Sequence, residues 1–196
     1  MSRRPPALLF TVVALASCLL GYWWLVPGEE QGEPLAELQQ WDAELFRPQV
    51  DERLTVTQLS QFLPNAELWL QPRMDGPHLL LRGEREGWRV EGELALSDTQ
   101  RASLAEVSGV RPNDPEQPQS AEMLAQLAGQ RVEALNLSPR HTVMATALSA
   151  SLGEARLRLQ LSEGEAWVYP QQGLTAHIRD ERVQLLRIVP KRLLQR

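Results

Sequence analysis

His78 lies three residues after Asp75 across Gly76-Pro77, a spacing that lets a turn set a carboxylate beside an imidazole. It is the best acid–base pair in the chain. The other two histidines, His141 and His177, stand alone, and no pair of the three has the helical spacing of metal ligands. A lone histidine in a strand, or where one begins, is far more often a satisfied surface or edge group than a base. Carboxylates recur two apart at Glu84 with Glu86 and at Glu91 with Glu93. Two such groups facing a cleft suit glycoside hydrolysis. With Arg85 and Arg89 beside them, cross-strand charge pairing is the better account. Trp69, Trp88 and Trp167 are core anchors before they are sugar platforms. Trp69 is the exception, because it alternates with Leu68 and Leu70, so one set must face outward or both faces are covered.

The remaining signatures of catalysis are missing. The chain has no Gly-x-Ser-x-Gly elbow, no His-Glu-x-x-His, no Cys-x-x-Cys and no glycine-rich phosphate loop. Its one cysteine, Cys18, sits inside an apolar run and is no candidate nucleophile. No catalytic residue, metal ligand or cofactor is expected, and the chain reads as a protein that is not an enzyme.

That apolar run is the most informative segment. Arg3 and Arg4 precede Ala7 to Val26, which carries no charge over 20 residues. As a helix rising about 1.5 Å per residue, it is long enough to cross the hydrocarbon core of a bilayer. Tyr22, Trp23 and Trp24 suit the headgroup region, Pro27 and Gly28 stop the helix, and Glu29, Glu30 and Glu33 follow. The positive-inside bias leaves residues 1–6 in the cytoplasm and carries everything after Val26 across the membrane. A rival assignment uses the same residues. Leu15-Ala16-Ser17-Cys18 looks like a lipoprotein cleavage box, which would make Cys18 the lipid-bearing first residue of the mature protein. Leu19 to Val26 would then remain as an apolar stub, where such proteins usually turn polar at once. Both assignments put the main domain outside the cytoplasm. With no other cysteine and with Lys191 the single lysine among 20 basic residues, the compartment expected is a bacterial periplasm.

Net charge is −5, with acidic side chains crowded between Glu29 and Asp98 and basic ones between Arg179 and Arg196. Nucleic acid is not an expected partner, because phosphate binding wants a basic surface. The basic end is a solvated segment, or less simply a strip for an acidic partner or anionic headgroups.

The elements that must position these residues read as an α+β fold. After a linker at 27–34, an antiparallel sheet with a few flanking helices is expected over 35–196. Trp88, Val90, Gly92, Leu94 and Leu96 alternate with Arg89, Glu91 and Glu93, a strand buried on one side. Leu79 to Arg82 precedes it across the loop 83–87. Leu157, Leu159 and Leu161 alternate with Arg156, Arg158 and Gln160. Glu165 to Tyr169, Leu174 to Ile178 and Arg182 to Val189 follow as strands, and Val143 to Leu152 reads as one more. Helices are expected at 57–63 from a threonine cap, at 98–108 from an Asp98 cap with Gly109 as the stop, and at 121–131 from Ser120. Pro112, Pro115 and Pro118 defeat both helix and ladder at 110–119, a possible division into two halves. Leu35, Leu38, Trp41 and Leu45 form a helical stripe directly after the linker. Leu35, Leu38 and Leu45 then pack either on a partner helix or on the chain's own core.

Two functions follow. The first is a non-catalytic component of a bacterial envelope assembly, tethered in the inner membrane and working with other envelope proteins. An open sheet edge would let such a component accept a partner strand. The second is a membrane-anchored binder of lipid or another apolar ligand, which needs a dry cleft between sheet and helices.

Overall fold

Tight turns cut the chain into hairpins, and the hairpins build one nine-stranded antiparallel sheet. The computed structural model describes residues 32–194. The strands are β1 (Glu67–Gln71), β2 (His78–Arg85), β3 (Trp88–Leu94), β4 (Gln117–Pro118), β5 (Val132–Pro139), β6 (Leu157–Leu161), β7 (Gly164–Tyr169), β8 (Leu174–Arg179) and β9 (Arg182–Ile188). Their order across the sheet is β4-β1-β2-β3-β5-β9-β8-β7-β6. Glu86 and Gly87 turn β2 into β3 with φ of 49° and 79°, and Asp180 and Glu181 turn β8 into β9 with φ of 51° and 59°. Left-handed pairs of this kind match the twist of the strands they join. Gly164 opens β7 at φ +96°, where an added Cβ would meet the Ile178 carbonyl oxygen, so only glycine fits.

One face of the sheet is buried under helices. Residues Ala36–Trp41 (α1) continue through a π-helical turn at Asp42–Phe46 into Arg47–Val50 (α2). The buried side chains of this run are Leu38, Trp41, Leu45, Phe46, Gln49 and Val50. Trp41 packs edge-on to Phe62 at 5.4 Å and to Trp88 at 6.4 Å between ring centres. The Trp88 indole N–H donates to Glu37 Oε1 at 3.2 Å, tying α1 to β3. Helix α3 (Val56–Phe62) adds Val56, Leu59 and Phe62 to the same core. Gly92 in β3 lets α3 approach, because a Cβ there would collide with the end of the Leu59 side chain.

The result is a mixed α+β fold with a large antiparallel sheet and a few helices. Several local expectations shift. The α3 cap is Thr55, not Thr57, and it forms a capping box with Gln58. Ser97, one residue ahead of Asp98, caps α4 (Asp98–Ser108), and Gly109 ends it at φ 63° as expected. Ser120 caps α5 (Ala121–Gln126), but the helix stops at Gln126 and β5 begins at Val132. The expected strand over 143–152 is instead helix α6 (Ala145–Leu152). Alanine and leucine favour helix, Ala145 and Leu148 share its buried side, and the apparent alternation came from small residues compatible with either state. Within the expected irregular stretch 110–119, Gln117 and Pro118 pair with β1 as an edge strand, where a missing N–H costs nothing.

The expected membrane helix over 7–26 and Cys18 lie outside the described residues. Among the described residues no helix is long and apolar enough to cross a membrane.

Candidate functional site

The face of the sheet away from the core carries the chemistry, and cross-strand register places it. Glu67 and Trp69 stand opposite Arg82 and Leu80, and Gln71 stands opposite His78. On β3, Glu91 and Glu93 share that face. Three groups of side chains result.

The first surrounds His78. Its Nδ1 lies 2.5 Å from Glu93 Oε1 and its Nε2 lies 3.2 Å from Asp75 Oδ2. Arg73 Nη1 reaches the same Glu93 oxygen at 3.2 Å. His78 and Glu93 are buried, while the Asp75 side chain is exposed. Asp75 is held below its ordinary carboxylate value, first by a bond to its own backbone amide and then by the charge of His78. The expected pairing of His78 with Asp75 is therefore present, joined by Glu93 from the next strand and Arg73 from the turn. Both ring nitrogens face carboxylate oxygens, so neither is left to take a proton from a substrate. This is a closed charge cluster that pins the 72–77 turn to the sheet. Among the described residues, no three His, Cys, Asp or Glu side chains are set to hold a metal ion.

The second group is a polar groove of about 660 Å³ whose lining includes Trp69, Arg82, Glu84, Arg89, Glu91 and Glu116. Arg82 is its hub. Its Nε donates to Glu91 Oε2 at 2.6 Å, its Nη2 donates to Glu116 Oε1 at 3.0 Å, and its guanidinium lies 5.6 Å from the Trp69 ring centre. Trp69 faces out while Leu68 and Leu70 are buried, which resolves the ambiguous alternation. Glu84 is shared between Arg89 at 3.9 Å and Arg140 at 3.4 Å, and Glu86 meets Arg85 at 3.6 Å. Every carboxylate of the pairs Glu84/Glu86 and Glu91/Glu93 thus has a basic partner. Charge pairing organises the groove.

The third group lies at the far end of the same face. Leu157, Leu159 and Leu161 sit on β6, the last strand, and are 49%, 45% and 39% exposed. Leu157 and Leu159 stand opposite Val168 and Ala166 of β7. On the opposite face of β6, Arg158 covers the Trp167 ring at 4.1 Å. The arginine therefore lies over the core side and the leucines face solvent. Their alternation is plain in the sequence, but nothing local says that β6 ends the sheet or that its leucines line the open face.

The other predicted residues fall elsewhere. Leu38 and Leu45 are fully buried in the chain's own core and Leu35 packs half-buried against it, its N–H bonded to Ser151 Oγ at 2.7 Å. Leu38 and Leu45 therefore offer a separate helix no free surface. His177 lies half-buried on β8 and His141 is exposed after β5. No family model, no curated protein and no solved structure matches the chain.

Proposed function

We propose that the chain is a non-catalytic, membrane-tethered component of a bacterial envelope assembly, its α+β domain held in the periplasm by the apolar segment 7–26. One observation carries the reading: among the described residues, the sheet face away from the core ends in an edge strand that displays three half-exposed leucines. Exposed edge strands offer a row of unpaired backbone groups, and proteins that do not use them cover, shorten or charge them. Here the two edges differ. β4 is two residues long and contains Pro118, whereas β6 is five residues long, with neither proline nor bulge and with one charge, Arg158, turned to the face opposite the leucines. The first edge is blunted; the second is available for strand addition.

The filled interior supports this reading over a lipid carrier. Leu38, Trp41, Leu45, Phe46, Leu59 and Trp88 occupy the space between the helices and the sheet, where an apolar ligand would need a cleft. The self-satisfied clusters around His78 and Arg82 likewise support a protein that acts by binding.

The test is photocrosslinking in native membranes, with a photoreactive residue replacing Leu159 in the full chain and Glu106 as the exposed control. Protein adducts at 159 and none at 106 are expected, together with recovery of the chain in the membrane pellet. Adducts with lipid alone would favour the lipid-binding alternative. A chain that stays in the aqueous fraction would overturn the tether.

A further inference from the structure

We propose that the occupant of the β6 edge is a second copy of this chain, paired antiparallel about a two-fold axis at Leu159. The inference rests on the tethered-assembly reading, because a five-residue strand buries less than the roughly 800 Å² per partner of a stable interface. Two copies confined to one bilayer meet at a raised effective concentration, and a modest contact then suffices.

The register is dictated by the strand's own residues. Antiparallel pairing keeps the leucines of both copies on one face only when odd positions meet odd positions. With the axis at Leu159, Leu157 meets the partner's Leu161 and Leu159 meets its own equivalent. On the other face Arg158 meets the partner's Gln160, and Arg156 meets the partner's Ser162. Every leucine is paired with leucine, and no charge opposes its like. Moving the axis to Arg158 sets two guanidinium groups face to face, which cross-strand pairing disfavours. Moving it to Gln160 sets Leu157 against the partner's Glu163. Only the Leu159 axis satisfies both faces.

The opposite edge favours this closed pairing. A head-to-tail arrangement would join β6 to β4 of the next copy and grow into a filament. β4 offers two residues, one of them Pro118 without an N–H. The isologous β6–β6 contact instead joins two sheets into one and continues the open face across both copies.

Cysteine substitution in the full chain reads the register directly. Directly opposed strand residues have Cα atoms about 4.5–5.5 Å apart, within disulfide reach, whereas residues offset along the strands do not. Oxidised membranes carrying Leu159→Cys should yield a 159–159 linked peptide, roughly tenfold more than the 158–158 peptide from Arg158→Cys. Peptide mapping separates these products from any that involve Cys18. Leu159→Arg should abolish the self-adduct that a photoreactive residue at 161 forms in native membranes, with an unchanged melting curve, since Leu159 is half exposed. Equal yields at 158 and 159, or none at either, would overturn the proposal. A photoreactive residue at 159 that captures a different protein and no self-product would also overturn it, while the tethered-assembly reading would stand.

Discussion

His78 and Glu93 show how a catalytic look dissolves into structure. A carboxylate–imidazole–carboxylate row resembles an acid–base relay, yet both ring nitrogens are engaged and Glu93 also receives Arg73. The buried groups hold one another. Removing Glu93 leaves His78 buried with its strongest partner gone, and breaking a buried pair in this way costs about 3–5 kcal/mol. Glu93→Ala should lower the unfolding free energy by that amount, whereas Asp75→Ala, at an exposed position, should lower it far less. Equilibrium unfolding of both variants checks the ranking; equal effects would mean that the cluster is not centred on Glu93. Asp75 and His78 were legible as a pair because they are three residues apart. Glu93 was not, since only the β2–β3 register brings Leu80 opposite it and His78 alongside.

Among the elements, β4 is tied to the sheet by an ion pair as well as by its backbone pairing with β1. Glu116, just before it, is bonded to Arg82 on β2 and to the Gln71 side chain on β1. Arg82 holds the Glu116 carboxyl below its ordinary value, partial burial works against this, and Gln71 adds to the lowering. A depressed folded-state pKa contributes stability that is present above the unfolded value and lost as pH falls through the folded one. Docking of β4 should therefore loosen on acidification below the normal glutamate range, while the central strands stay paired. The protection factor of the Gln119 amide, which donates to the Leu68 carbonyl at 2.8 Å, should fall in that window. Glu116→Gln should abolish the pH dependence, and protection that ignores pH would show that the latch lies elsewhere. β4 was hidden in the sequence because three prolines in 110–119 argue against any strand, and the exception holds only at a sheet edge.

Across the sheet, β5 pairs with β3 on one side and with β9 on the other. Strands from before and after the 110–119 segment thus belong to one hydrogen-bonded array over one core. Unfolding should be a single cooperative step. Amide signals of Leu81 in β2 and Ala176 in β8 should disappear at the same urea concentration. Separate midpoints would mean that the two halves melt independently despite the shared sheet.

Features set within a few residues were already visible in the chain itself: the β2–β3 and β8–β9 hairpins, the Ser120 cap, the Gly109 stop and the alternation along β3 and β6. Turn sterics, capping and side-chain period act between near neighbours, so they need no wider context. Helix against strand at 145–152, the pairing of Pro118 and the position of β6 at the rim arose only from assembly. Whether a leucine faces core or water depends on what packs over it, and Leu157, Leu159 and Leu161 are left about half exposed. Burial is a property of the neighbours a residue meets, and those neighbours lie far along the chain.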